Sequence, residues 1–167
     1  TKQIMRIKTI LISSSQLSIP PQRGGAIEKL LYEIALACKK FGVKCVVISS
    51  QHEGDKKLDY LIISSAKVRN KYLRSLYELY WGVKVFAFLA RFQPCIVHFN
   101  VPLNALPTTI LLKPFTQRIR IIYTSHNPAW SAKNQEIGLI NVIVKFIELL
   151  VMKMADIVVA VCRYMRE

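Results

Sequence analysis

Two short stretches hold the residues of this 167-residue chain best able to do chemistry: Arg23-Gly24-Gly25 in "PPQRGGAIEK" and His126-Asn127 in "SHNPAW". Adjacent glycines in front of a helix remove every Cβ where the helix begins, so a ligand can approach the backbone closely. Helix-start N–H groups and the helix dipole favour an anion there. A tight turn would use the same glycines, and Pro20 and Pro21 would equally order a long loop. Loops of about a dozen residues inside a compact domain usually carry function, which favours a ligand. His126 stands where an apolar run gives way to a polar loop, with Asn127, Pro128, Trp130 and Ser131 forming a partly apolar wall. A histidine at such an edge is a candidate catalyst, whereas His98, inside an apolar run, reads as a satisfied structural group.

Other chemistries lack their residues. His52, His98 and His126 come from separate segments with no supporting carboxylate or cysteine spacing, so no metal and no cofactor is expected. The glycines are adjacent and arrive too late for G-x-G-x-x-G, and no G-K-[ST] follows them. A G-x-S-x-G elbow and a spaced carboxylate pair are also missing.

Six short apolar runs must position these residues: "MRIKTILIS", "VKCVVISS", "DYLIIS", "CIVHFN", "RIRIIYTS" and "DIVVAV". Helical patterns separate them. Ile27, Leu31, Ile34, Cys38 and Phe41 form one stripe, with Gly42 placed to end the helix. Tyr72, Leu76, Leu79, Val83, Phe86 and Ala90 form a second, and Ile140, Ile143, Ile147, Leu150 and Met154 a third. Strands alternating with helices predict one α/β domain over residues 1–167: a doubly wound, Rossmann-like parallel sheet with helices on both faces. Ligands of such sheets bind beyond the carboxyl ends of the strands, where both candidate stretches fall.

A net charge of +14 and 52% hydrophobic residues allow one sizeable core and favour anionic partners. Cys38, Cys45, Cys95 and Cys162 form no C-x-x-C pair and read as buried thiols of a reducing compartment. No signal peptide is recognisable, and the longest apolar run is interrupted by charges, so a cytoplasmic protein without a membrane span is expected. From Lys67 to Phe92, basic and aromatic residues interleave, with Trp81, Lys84, Phe88 and Arg91 on one helical face. That face is either an ordinary solvated surface or a peripheral contact with an anionic membrane. No recognition-helix or RNP pattern supports specific nucleic-acid binding.

Taken in order, "PPQRGGAIEKLLYEIALACKKFGVKCVVIS", "PCIVHFN", "IIYTSHNP" and "ADIVVAVCRYM" resemble the N-terminal domain of GT-B, retaining glycosyltransferases of family 4. The resemblance implies a cleft between two Rossmann-like halves, this one holding mainly the acceptor and a C-terminal half holding the nucleotide sugar. Gly24 and Gly25 match the family's glycine loop at the donor phosphates, with Arg23 beside it. His126 matches a histidine facing the reacting sugar, with Asn127 and Trp130 in the acceptor cleft. Cys162 replaces a frequent serine and carries no role. The donor half, with its E-x7-E pattern, is absent from these residues, so they are expected to need it in cis or from a companion chain. A glycan or lipid-linked acceptor is implied, with no activity from this half alone. The rival expectation is a non-catalytic α/β module that binds an anionic ligand.

Overall fold

The computed structural model describes residues 9–12, 17–20, 25–50, 58–63, 68–92, 96–114, 119–126 and 139–161. Arg23, Gly24, Asn127 and Trp130 lie outside the described residues. The elements run β1 (Thr9–Ile12), α1 (Ala26–Lys40), β2 (Cys45–Ser49), β3 (Asp59–Ile62), α2 (Lys71–Phe92), β4 (Ile96–Phe99), α3 (Pro102–Leu112), β5 (Arg120–Ser125), α4 (Leu139–Met154) and β6 (Ile157–Ala160). All six strands are parallel, in the order β3-β2-β1-β4-β5-β6. The order reverses direction between β1 and β4, which opens a crevice at their carboxyl ends.

Strand alternation divides the core. Ile10, Ile12, Ile48, Val97, Phe99, Ile121 and Tyr123 meet Trp81, Val85 and Leu89 of α2, Ala105 and Leu112 of α3, and Ile147 and Val151 of α4. On the other face Leu11 and Val47 pack with Ile19 and with Leu31 and Ala35 of α1. Helices therefore cover both faces, as the sequence predicts.

Local signals explain the helix ends. Gly42 has φ of 68°, and the bonds Gly42 N–H to Lys39 O (3.1 Å) and Val43 N–H to Cys38 O (2.8 Å) close α1 in a Schellman turn. Asn70 caps α2 by accepting from the N–H groups of Tyr72 (2.9 Å) and Leu73 (3.3 Å). The stretch after β4, where the sequence shows no predicted helical stripe, is α3: Pro102 occupies its first turn, where no N–H is needed, and Pro107 lies inside it.

The structure corrects the orientation of α2. Its core side is Glu78, Trp81, Gly82, Val85 and Leu89, while Tyr72, Leu76 and Val83 of the predicted stripe are exposed. Trp81 is 0% exposed, so it is a core residue and not part of a membrane-facing surface. Its Nε1–H donates to Ile63 O at 3.2 Å. Phe88 is half-buried against the same core, leaving Lys84 and Arg91 toward the outer side. The cause is the contact with α3: a Cβ on Gly82 would lie 2.4 Å from Asn104 O and 2.6 Å from Pro107 Cγ. Thr108 Oγ1 donates to Gly82 O at 2.8 Å, and Asn104 Nδ2 to Glu78 Oε2 at 3.2 Å. Backbone approach and buried polar pairing thus turn the Gly82 side inward against the pull of an apolar stripe.

Candidate functional site

Gly25 caps α1 in the left-handed region, with φ of 78° and ψ of 68°, a conformation glycine adopts without strain. Among the described residues no side-chain cap bond is made to the helix start, whose first turn lies beyond β1 with its backbone N–H groups. Beside it lies a cavity of about 570 Å³ lined by Gly25, Ile27 and Glu28 of the α1 start, by Arg74, Ser75 and Glu78 of α2, and by Val101 and Leu103 at the α3 start. It sits at the point where strand order reverses. Its polar lining of two carboxylates, a guanidinium and a hydroxyl suits a polyhydroxylated or phosphate-bearing molecule.

Polar side chains mark the carboxyl ends of β4 and β5. His126 follows Ser125 directly, and its Nε2–H donates to Oδ1 of Asn100 at 2.9 Å. That bond places the proton on Nε2 and leaves Nδ1 as the ring's acceptor. Nδ2 of Asn100 is buried with no hydrogen-bond partner among the described residues. Such a donor costs about 1–3 kcal/mol, a loss tolerated more readily at functional sites than in a core built for stability. His98 Nε2 meets Thr124 Oγ1 at 2.7 Å in the interior.

A buried carboxylate lies beneath this edge. Glu148 of α4 is 4% exposed and accepts from Ser125 Oγ at 2.6 Å and from Tyr123 OH at 3.1 Å. Burial pushes the Tyr123 hydroxyl pKa upward, reinforced by the Glu148 charge and hydrogen bond, so the tyrosine stays a donor. Burial lowers the His126 pKa below its ordinary value, and the Glu148 charge acts the other way. The imidazole is therefore neutral at neutral pH, with an anion behind it.

His98 is pushed down to about 4 by burial and then by the His126 charge. Its folded pKa is depressed, so the unfolded chain binds the proton first. The stabilisation is complete above about pH 6.5 and is lost as pH falls toward 4. Unfolding free energy should drop by about 3 kcal/mol over that window. Urea midpoints at steps between these pH values check this, and His98→Gln should flatten the slope. An unchanged wild-type midpoint across the window contradicts it.

Of the sequence-predicted residues, Gly25 and His126 fall on the same carboxyl edge of the sheet. Lys84 and Arg91 lie on the outer side of α2, away from it. Asn100, Glu78 and Glu148 were not singled out from the sequence, and Arg74 counted only among the basic residues between Lys67 and Phe92. Asn100 had a signal, since it ends the strand pattern "CIVHFN" just as His126 follows "IIYTS".

A family model described as Glycosyltransferase Family 4 matches residues 24–167. No curated protein sequence matches the chain. Among solved structures, a sucrose-phosphate synthase from Thermosynechococcus elongatus superposes with a TM-score of 0.66 at 13% identity, over 92% of this chain and 42% of that one. A UDP-N-acetylglucosamine 2-epimerase from Rickettsia bellii gives 0.54 at 13%, covering 96% and 40%. MurG from Acinetobacter baumannii gives 0.54 at 12%, covering 92% and 41%. The chain thus spans about two fifths of the length of each structure it resembles, and at these identities the likeness shows the fold.

Proposed function

Because this chain belongs to glycosyltransferase family 4, we propose that it forms the acceptor-side half of a sugar transferase. The observation that carries the reading is the neutral His126, held by Asn100 on the same sheet edge as the Gly25-led start of α1. In this reading a nucleotide sugar spans the cleft, its diphosphate toward the α1 N–H groups and its sugar toward His126. A glycosidic bond forms to a hydroxyl of a glycan or lipid-linked acceptor while the sugar–phosphate bond breaks. The nucleoside diphosphate leaves with the electron pair, and the acceptor's proton passes to a phosphate oxygen. Retention of configuration follows from the resemblance alone.

Backbone donors are suited to this work because they are fixed before charge develops on the leaving phosphate. His126 contributes an acceptor to a sugar hydroxyl through Nδ1. The cavity holds the acceptor, with Glu28 and Glu78 accepting from its hydroxyls and Arg74 at its mouth. The remaining donor contacts come from a second domain in cis or from a companion chain, and no metal takes part. A cytoplasmic setting belongs to this reading, and the Cys45 pKa is pushed up to about 12 by burial first and the neighbouring Cys38 next.

The test uses the protein that carries this chain, assayed with a panel of nucleotide sugars and acceptors. Arg74→Ala, at an exposed cavity-lining position, should raise the acceptor KM by about tenfold while the donor KM holds. A change confined to the donor KM refutes the acceptor assignment. Ligand binding with no transfer under any pairing favours the non-catalytic module.

A further inference from the structure

The outer sides of the helices differ between the two faces of the sheet. On α1 the exposed positions include Lys29, Glu33, Lys39 and Lys40, an ordinary mixed-charge surface. The layer of α2, α3 and α4 is turned inside out by comparison. At about 100° per residue, Leu73, Leu76, Tyr80 and Val83 lie opposite the Trp81–Val85–Leu89 side of α2, and they are 44–63% exposed. Val142, Phe146 and Leu149 lie opposite the core side of α4 at 47–62%, and Ile110 of α3 is 50% exposed. Eleven of the eighteen exposed large hydrophobic residues among those described sit on these three helices.

The charges of this layer have one sign on the outside. Its only acidic residues, Glu78 and Glu148, are 5% and 4% exposed and point inward, while Lys84, Arg91, Lys145 and Lys153 remain at the surface or half-buried. Lys84 Nζ rests 4.8 Å from the Tyr80 ring centroid, fixing a cation beside an aromatic. Among the described residues no helix is long and apolar enough to cross a membrane.

We propose that the outer face of α2–α3–α4 docks on an anionic lipid bilayer. Apolar and aromatic side chains enter the headgroup boundary, and the lysines and arginines meet lipid phosphates. A second copy of the chain fits poorly, because two such faces would oppose like charges. The amino-terminal turns of α2 also line the cavity through Arg74, Ser75 and Glu78. Docking therefore brings the cavity to headgroup level, where it meets the polar end of an amphiphilic acceptor. That last placement rests on the transferase reading, while the docking does not.

The test is co-sedimentation of the full 167-residue chain with phosphatidylcholine vesicles, with and without phosphatidylglycerol. Each basic side chain near an anionic surface contributes about fivefold in partitioning. Binding should favour the anionic vesicles by at least about tenfold and fall between about 0.1 M and about 1 M salt. The Leu76→Glu, Phe146→Glu pair, both exposed positions, should lose about tenfold in binding with an unchanged thermal midpoint. Phe41→Glu, on an exposed residue at the end of α1, should bind as wild type. Absence of vesicle binding, unchanged binding by the double variant, or a solution dimer that the double variant dissociates would each overturn the proposal. None of these outcomes bears on sugar transfer, so the two readings fail separately.

Discussion

Replacing Trp81 by alanine is expected to cost about 4 kcal/mol of folding stability, read as a large fall in the urea midpoint with an unchanged slope. The indole is fully buried between α2 and the sheet, and its Nε1–H bonds Ile63 O at the end of β3. Alanine leaves a cavity and an unmet carbonyl together. Against a total stability of about 5–15 kcal/mol, that is a large fraction. Trp81→Phe keeps most of the packing and loses the hydrogen bond, so a cost of about 1–2 kcal/mol is expected. A surface tryptophan would give a change within about 0.5 kcal/mol for either variant, which makes the measurement a direct check on the orientation of α2.

That orientation marks where the sequence was silent. The β-branched runs of all six strands and the Gly42 stop of α1 are local signals, and local physics decides them. The stripe on α1 is legible as far as Cys38 because Lys29, Glu33, Lys39 and Lys40 lie opposite it, although Phe41 at its end is exposed and the charged Glu28 is buried. On α2 the apolar residues run nearly all the way round, so periodicity has no contrast to work with. What selects the inward side is Gly82 against the α3 backbone and Glu78 bonded to Asn104, contacts between segments far apart in sequence. Helix α3 was hidden for a different reason. Its two prolines resemble loop punctuation, yet one sits in the first turn, where proline is tolerated.

The candidate site divides along the same line. Gly25 and His126 were readable because each stands at the carboxyl end of a strand, and the ends of strands follow from hydrophobic pattern. Their partners were not. Asn100 meets His126 across two strands, and Glu148 reaches β5 from a helix that begins fourteen residues after it ends. In sequence, Glu148 is a charge interrupting an apolar helix. Only the folded contacts, with Ser125 and Tyr123 both bonded to Glu148, show that it lies beneath the strand that ends at the histidine.

His126→Ala is expected to lower kcat for sugar transfer by about a hundredfold, the scale for losing one positioned hydrogen bond at the reacting group, with a smaller effect on either KM. Stability should change little by comparison, because the ring is half-buried and bonds one side chain. Asn100→Ala frees the ring to exchange tautomers and should lower kcat by about tenfold, as loss of a positioning contact does. The pH profile separates chemistry from structure. The His126 pKa lies below its ordinary 6.5, so kcat should hold at neutral pH and fall on an acid limb below 6.5 as the ring gains its second proton. The Glu148 charge raises that pKa against the effect of burial. Glu148→Gln retains an oxygen for Ser125 and Tyr123 but removes the charge, so the acid limb should move to lower pH. An acid limb that stays in place in Glu148→Gln, or a His126→Ala enzyme with near-normal kcat, would show that the His126 ring does not make the contact to the sugar.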